Sequence, residues 1–574
     1  MNRETELHFT DLPKINIGRS KFNMSHSHKT TFNTGQIIPI KIQEIMPGDT
    51  VELDIAEVVR MATPIFPVMD NLFLEITTFF CPNRLVMDHW KNFWGENNDP
   101  WANGMNYEVP YLTAPSGGWT KGSLADYMGI PTKIDNIKVN ALPFRGYAKI
   151  IGDWWRDENL MYTPHVYTDD TNRTGTNGNS YVTDLELGGM PANACKMHDY
   201  FTSCLPSPQK GPAVSIPLGT TAPVRTGTTI NYNANPLSGE ITPTPYELNL
   251  MRWYTDSDGK RKTEDYLSAT SGSLGTKFEH QINGLRNVTG GLKYETAVSG
   301  YDNEDNKVTP TNLFADLSAA TAATINSLRT AFAIQKFYEN AGRNGTRYIE
   351  FIRSVFGVES SDARLQRTEY IGGCRVPINI DTVLQTSSTD ATTPQGNTAA
   401  FSCTIASDSL CTKSFEEHGY FYVLACVRTE HSYQQGIPRT FLRRKWTDYY
   451  NPFFANLGEM PVTNEEIYAQ GTSTDQEVFG YQEAWADYRY NQNTVSGAMR
   501  SNVTGSLDVW HYADDYDSLP TLGSTWIQEP KDNVDRTIAV QSEIENQFIA
   551  DFYFNMAMVR PMPIYSIPGL IDHV

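Results

Sequence analysis

Residues Val51, Leu53 and Ile55 alternate with Glu52 and Asp54, which predicts a strand with one buried and one wet face. Leu72, Leu74 and Ile76 repeat the period, and Pro64 and Pro67 punctuate the link between the two strands. Tyr420 to Val427 and Phe552 to Val559 are apolar at both parities, as expected of strands covered on both faces. Val376, Ile378 and Ile380 predict a further strand. Helical spacing is rarer. Asn83 can cap a helix carrying Val86, Trp90 and Phe93, with Gly95 placed to stop it. A second aromatic helix is expected over 144–158, and a third over 312–340 with Leu313, Leu317, Ala320, Leu328 and Phe332 on one stripe. A fourth, over 346–356, presents Tyr348, Ile352 and Val355 and ends at Gly357. No βαβ alternation occurs. Early and late strands separated by long connections predict a mainly β protein with a Greek-key or jelly-roll barrel.

From Gly219 to Pro310 no apolar period is sustained, and Thr, Ser, Gly, Asn, Pro and charge dominate. Loops of that length are uncommon in compact domains unless they have a function. The expected role is a surface presented to another molecule. A shorter Ser/Thr loop covers Ser387 to Thr398.

The 574 residues would ordinarily suggest about four domains, a rule that large β folds with long insertions break. The formal charge of −20 argues against a surface that grips nucleic acid all over, because phosphate neutralisation needs clustered Lys and Arg. A local basic face remains compatible with it. Seven cysteines, widely spaced and without a CxxC, read as reduced thiols in a cytoplasmic setting. No apolar run is long enough to cross a membrane, so no membrane insertion is expected.

Catalytic patterns are missing: no GxGxxG, Walker-type loop, HExxH or GxSxG occurs. Neither an enzyme nor a cofactor or metal site is therefore expected. The acidic groups Asp302, Glu304, Asp305 and Asp514, Asp515, Asp517 read as solvated loops. Two basic segments are candidates for facing nucleic acid. The first thirty residues carry Lys14, Arg19, Lys21, His26, His28 and Lys29, with no acid between Lys14 and Lys29. His26 and His28 are two apart, on one face of a strand, and are expected to be solvated or DNA-facing rather than metal ligands. The second set is Arg443, Arg444 and Lys445, close to Arg439, Phe441 and Trp446. Such residues can contact phosphates and stack on bases, or simply pair with carboxylates or contact a second subunit. Competing readings are a carbohydrate-active β-sandwich enzyme, suggested only by acid and aromatic content, and a monomeric single-strand binder, which the net acidity disfavours.

Several blocks in order resemble the major capsid protein of the microviruses, small single-stranded DNA phages, in their gokushovirus branch. They include Ile17-Gly-Arg-Ser-Lys-Phe-Asn-Met-Ser-His26, Thr63-Pro-Ile-Phe-Pro-Val-Met-Asp70 and Phe79-Phe-Cys-Pro-Asn-Arg-Leu-Val-Met-Asp-His-Trp90. His198-Asp-Tyr-Phe-Thr-Ser203, Tyr433-Gln-Gln-Gly436, Asn456-Leu-Gly-Glu459 and Phe479-Gly-Tyr-Gln-Glu-Ala-Trp-Ala-Asp-Tyr-Arg489 follow. The resemblance implies a single eight-stranded viral jelly roll with helical and long loop insertions. It implies about sixty copies in a T=1 icosahedral shell around circular single-stranded DNA, in virions assembled in the host cytoplasm.

The implied organisation is an inner-surface arm over 1–30, a jelly-roll core over 31–218 and 311–574, and a surface insertion over 219–310. That insertion occupies the place of the family's threefold protrusion, with host attachment as its expected role. Implied partners are further copies of the chain, packaged single-stranded DNA, a small basic DNA-binding virion protein, internal scaffolding and pilot proteins, and a host surface receptor. The acids are expected outside and at interfaces, with the basic arm toward the genome.

Overall fold

Strand pairing across almost the whole length of the chain organises the molecule. The computed structural model describes residues 18–96, 107–214, 325–345, 347–387, 391–392 and 394–565, with the backbone of short strands at 224–226, 250–255, 261–267, 308–310 and 313–315. Two compact units emerge, Met1–Pro212 with Phe337–Val574, and Ala213–Lys336.

In the first unit the strands of the two largest sheets are β1 (Ser20–Asn23), β2 (His26–Phe32), β3 (Ile38–Ile45), β4 (Thr50–Met61), β5 (Leu72–Pro82), β6 (Glu369–Pro377), β7 (Thr404–Ser414), β8 (Gly419–Thr429) and β9 (Phe548–Arg560). One antiparallel sheet runs β1–β9–β4–β7, with β2 also paired to β9. Ser20 lies opposite Arg560 and His26 opposite Phe554, so β1 and β2 follow one register along β9. From Ser20 onward the expected arm is thus an edge strand of this sheet. The other sheet runs β6–β5–β8–β3.

The alternation read in the sequence sets what each face meets. Val51, Leu53, Ile55, Phe552 and Phe554 of the first sheet join Leu74, Ile76, Phe421 and Val423 of the second in one core. Each such side chain contributes roughly 1.5–3 kcal/mol on full burial. The second sheet is covered on its other face too. There Tyr422 and Leu424 pack with Phe144, Tyr147 and Ile150 of helix α1 (Leu142–Ile150). This double covering explains the apolar run from Tyr420 to Val427. By contrast, no described element covers the outer face of the first sheet, where Ile405, Ile549 and Tyr553 are exposed.

Helical expectations fare unevenly. The aromatic helix over 144–158 is α1 continued by a π-helical turn, Ile151–Trp155. The Asn83 helix is instead a 3₁₀ turn at Asn83–Leu85 and a single turn at Trp90–Phe93, and the Asn83 side chain caps neither. The stripe over 312–340 is broken. Leu313–Ala315 is a strand paired with Val224–Thr226, and helix α2 spans Ile325–Arg343, with Phe332 exposed. Leu317 and Ala320 lie outside the described residues, and cross-strand pairing at 313–315 overrides the helical spacing there. Helix α3 (Tyr348–Phe351), continued by Ile352–Phe356, ends as expected at Gly357, whose φ of +67° suits glycine. Within 219–310 the backbone forms a hairpin of Leu250–Thr255 with Arg261–Leu267, and Val308–Pro310 pairs with its first strand. Asp302, Glu304 and Asp305 lie outside the described residues. Among the described residues no helix is long and apolar enough to cross a membrane.

Candidate nucleic-acid interface

Strand parity divides the basic residues of the first segment. Lys14 lies outside the described residues. Lys29 is opposite Asp551 and Ser27 opposite Tyr553, on the outer face of the first sheet. His26 and His28 are opposite Phe554 and Phe552, both fully buried, and therefore turn toward the core. His26 stacks on Phe554 with ring centroids 5.0 Å apart, and its Nδ1 lies 2.9 Å from the Met24 carbonyl. Burial, then the neighbouring His26, holds the His28 imidazole below its ordinary value. Both rings are half-buried, and His28 lines the cavity described below. Alternation sets the division: Lys21 and Lys29 share one parity, the histidines the other.

The outer face itself is mixed. Lys21 Nζ lies 3.2 Å from Glu52 and Lys29 Nζ 3.3 Å from Asp551, so acids absent from the local sequence arrive from neighbouring strands. Such exposed pairs contribute about 0–1 kcal/mol, and a phosphate can displace the carboxylate at little cost. Arg19 is exposed at the start of this edge. Arg60 sits opposite Ile549 on the same face and has no ion-pair partner among the described residues. A cavity of about 540 Å³ opens here, and its lining includes His28, Lys29, Arg60, Lys121, Asp126, Tyr127, Ile549 and Asp551. Three cations and the exposed ring of Tyr553 can contact a strand's phosphates and stack on a base. Sequence reading passed over Arg60 and Lys121. The parity of Arg60, opposite to Val51, Leu53 and Ile55, was the available signal.

The second basic set lies elsewhere, in the segment 439–454. Arg443 is largely buried, paired with Asp487 and placed over the Tyr488 ring at 4.2 Å. Arg439 reaches Glu466 at 3.4 Å. Arg444 and Lys445 are exposed, and their backbone N–H groups donate to the Asp448 carboxylate at 2.9 and 2.7 Å. Around them Phe441, Trp446 and Phe453 are 78, 73 and 95% exposed.

One acidic cluster departs from expectation. Asp515 and Asp517 are exposed, but Asp514 is buried. It accepts from Lys196 Nζ at 3.0 Å, Tyr516 Oη at 2.7 Å and Asn533 Nδ2 at 2.6 Å. Burial works to raise the Asp514 carboxyl, yet His431 and Lys196 outweigh it and hold it well below the carboxylate range. This is a structural ionic knot rather than a solvated loop.

Comparison with known proteins gives a consistent result. The family model described as "Capsid protein (F protein)" matches residues 10–570. The capsid protein VP1 of Spiroplasma virus 4 is 44% identical over 558 residues, covering 96% of each chain. That of Bdellovibrio phage phiMH2K is 39% identical over 575 residues, covering 99% of this chain and 98% of the relative. That of Chlamydia phage 1 is 38% identical over 600 residues, covering 98 and 97%. These relatives are structural capsid proteins. The chain belongs to the phage capsid protein (F protein) family, as a structural capsid protein of microvirus-like bacteriophages.

Proposed function

We propose that this protein is the shell subunit of a T=1 particle in which about sixty copies enclose circular single-stranded DNA. The observation that carries the reading is the interleaved strand order. With β1 and β2 taken as one strand, β1/β2–β9–β4–β7 faces β6–β5–β8–β3, the connectivity of an eight-stranded jelly roll. Such a brick puts its energy into a rigid core and leaves loops free to reach neighbouring copies.

On this reading the open outer face of the first sheet, with Lys21, Lys29, Arg60 and Tyr553, turns toward the genome. Its near-neutral balance of Lys and Arg against Glu52, Asp54 and Asp551 suits a shell whose DNA charge is chiefly offset by a separate small basic protein. The exposed aromatics Phe441, Trp446 and Phe453 serve contacts between copies, since large exposed apolar surface marks an interface. The insertion 219–310 serves host attachment, and internal scaffolding and pilot proteins join during assembly.

Electron cryomicroscopy of purified particles tests this reading. The expected image is a uniform icosahedral shell with sixty copies and β9 on its inner wall. A protein that stays monomeric at high concentration, or a shell with β9 outermost, overturns it. Deleting 219–310 is expected to leave shells that no longer adsorb to cells.

A further inference from the structure

Three strands bring unlike ligands together inside the sandwich. Glu57 on β4, Asp408 on β7 and Cys374 on β6 each offer an atom within 4.8 Å of the others. Glu57 is opposite Ala406, and Asp408, two residues along β7, is opposite Ile55, so both carboxylates share the core-facing side of the first sheet. Cys374 enters from the second sheet, where it is opposite Ile76. Glu57 is 0% exposed, and neither of its carboxylate oxygens has a hydrogen-bond partner among the described residues. A buried carboxylate left unpaired is costly, and native cores rarely keep one without a role.

We propose that Glu57, Asp408 and Cys374 form a binding site for a thiophilic divalent cation of the zinc class, which staples the two sheets together. The ligand chemistry selects the class. Calcium and magnesium take oxygen ligands, whereas zinc accepts thiolate and carboxylate together. Ligand atoms of a tetrahedral zinc centre stand roughly 3.5 Å apart, so small side-chain rotations close the present spacing. Three protein ligands leave a fourth position for water. Burial, then Asp408, pushes Glu57 up to about 7, and burial, then the two carboxylates, pushes Cys374 up to about 12. A dication reverses both tendencies by stabilising the anionic forms. The competing arrangement is a protonated Glu57 that binds no metal.

The test uses the full-length purified protein, stripped with a chelator and then titrated with zinc against a chromogenic competitor. Cobalt substitution reports thiolate ligation through its near-ultraviolet charge-transfer absorption. One zinc per chain, a melting temperature raised by zinc, and a cobalt–thiolate band are expected. Cys374→Ser should abolish the band, and both Cys374→Ser and Glu57→Gln should lose the zinc-induced rise. A cooperative melt of each variant in chelator is the control for folding. Absence of equimolar binding, or binding unchanged in both variants, overturns the proposal in favour of a protonated, metal-free Glu57.

Discussion

His431 Nε2 stands 2.9 Å from a carboxylate oxygen of Glu529, and both side chains are fully buried. The other ring nitrogen faces Asp514 at 3.0 Å. With a carboxylate at each nitrogen, both N–H groups donate, and the ring is an imidazolium held between two anions. Glu529 also accepts from the Thr429 backbone, so the knot ties the end of β8 to the segments around 514 and 529.

Replacing His431 with Gln leaves Asp514 and Glu529 without their shared cation. Breaking a buried pair by removing one partner typically costs about 3–5 kcal/mol. Denaturant unfolding of the unassembled subunit should show a loss of that size. A change below about 1 kcal/mol would mean that the carboxylates find other partners.

The same ring sets an alkaline limit. Burial alone would lower the imidazolium, but Asp514 and Glu529 outweigh it and push it up to about 10. A raised folded value means the contribution is fully present below the unfolded value of about 6.5 and is lost as pH rises through about 10. Subunit melting temperature should therefore fall across that window, and His431→Gln should flatten the fall. Asp514, held low, adds the opposite limb, present above an unfolded value of about 3.9 and lost at lower pH.

Helix α1 approaches β8 closely at Gly146. A Cβ there would collide with the Tyr422 hydroxyl, which is fixed by donating to the Pro143 carbonyl at 2.8 Å. Gly146→Ala should cost about 1–3 kcal/mol through overpacking, although alanine is the better helix former. Tyr422→Phe should cost about 1 kcal/mol alone and relieve part of the Gly146→Ala penalty in the double variant, measured as a double-mutant cycle.

Charge reversal on the open face separates genome contact from folding. Lys29→Glu with Arg60→Glu should change subunit stability by no more than about 0.5 kcal/mol, as surface substitutions do. Particles should retain less DNA per shell, or lose crosslinking at this face. Unchanged DNA content and crosslinks would place the face away from the genome.

Phe453, 95% exposed, offers an assembly test. Phe453→Asp should leave the subunit folded by circular dichroism but reduce the yield of closed shells at least tenfold, read by sedimentation.

Local pattern made the strands legible. Val51, Leu53 and Ile55 were readable because a strand's period of two is written within a few residues. The run from Tyr420 to Val427 announced a doubly covered strand for the same reason, and Gly357 announced a helix end. Placement was harder. The acids that meet Lys21 and Lys29 come from β4 and β9, and Asp514 looked like loop because its partners Lys196 and His431 are far away in sequence. Glu57 carried a readable sign in its parity, which matches Val51 and Val59 on the buried side, but its neighbours Cys374 and Asp408 did not.

The amino-acid order alone determined that strands form, which side chains they bury, and, through ordered motif blocks, which family the chain joins. Only the three-dimensional arrangement decided that Ser20 pairs with Arg560, that the histidines turn inward while the lysines turn out, and that Glu57 meets a thiol from the opposite sheet. Hydrophobic periodicity is a short-range property of the backbone, whereas register and ionic partnership arise when segments hundreds of residues apart compete to bury the same surface.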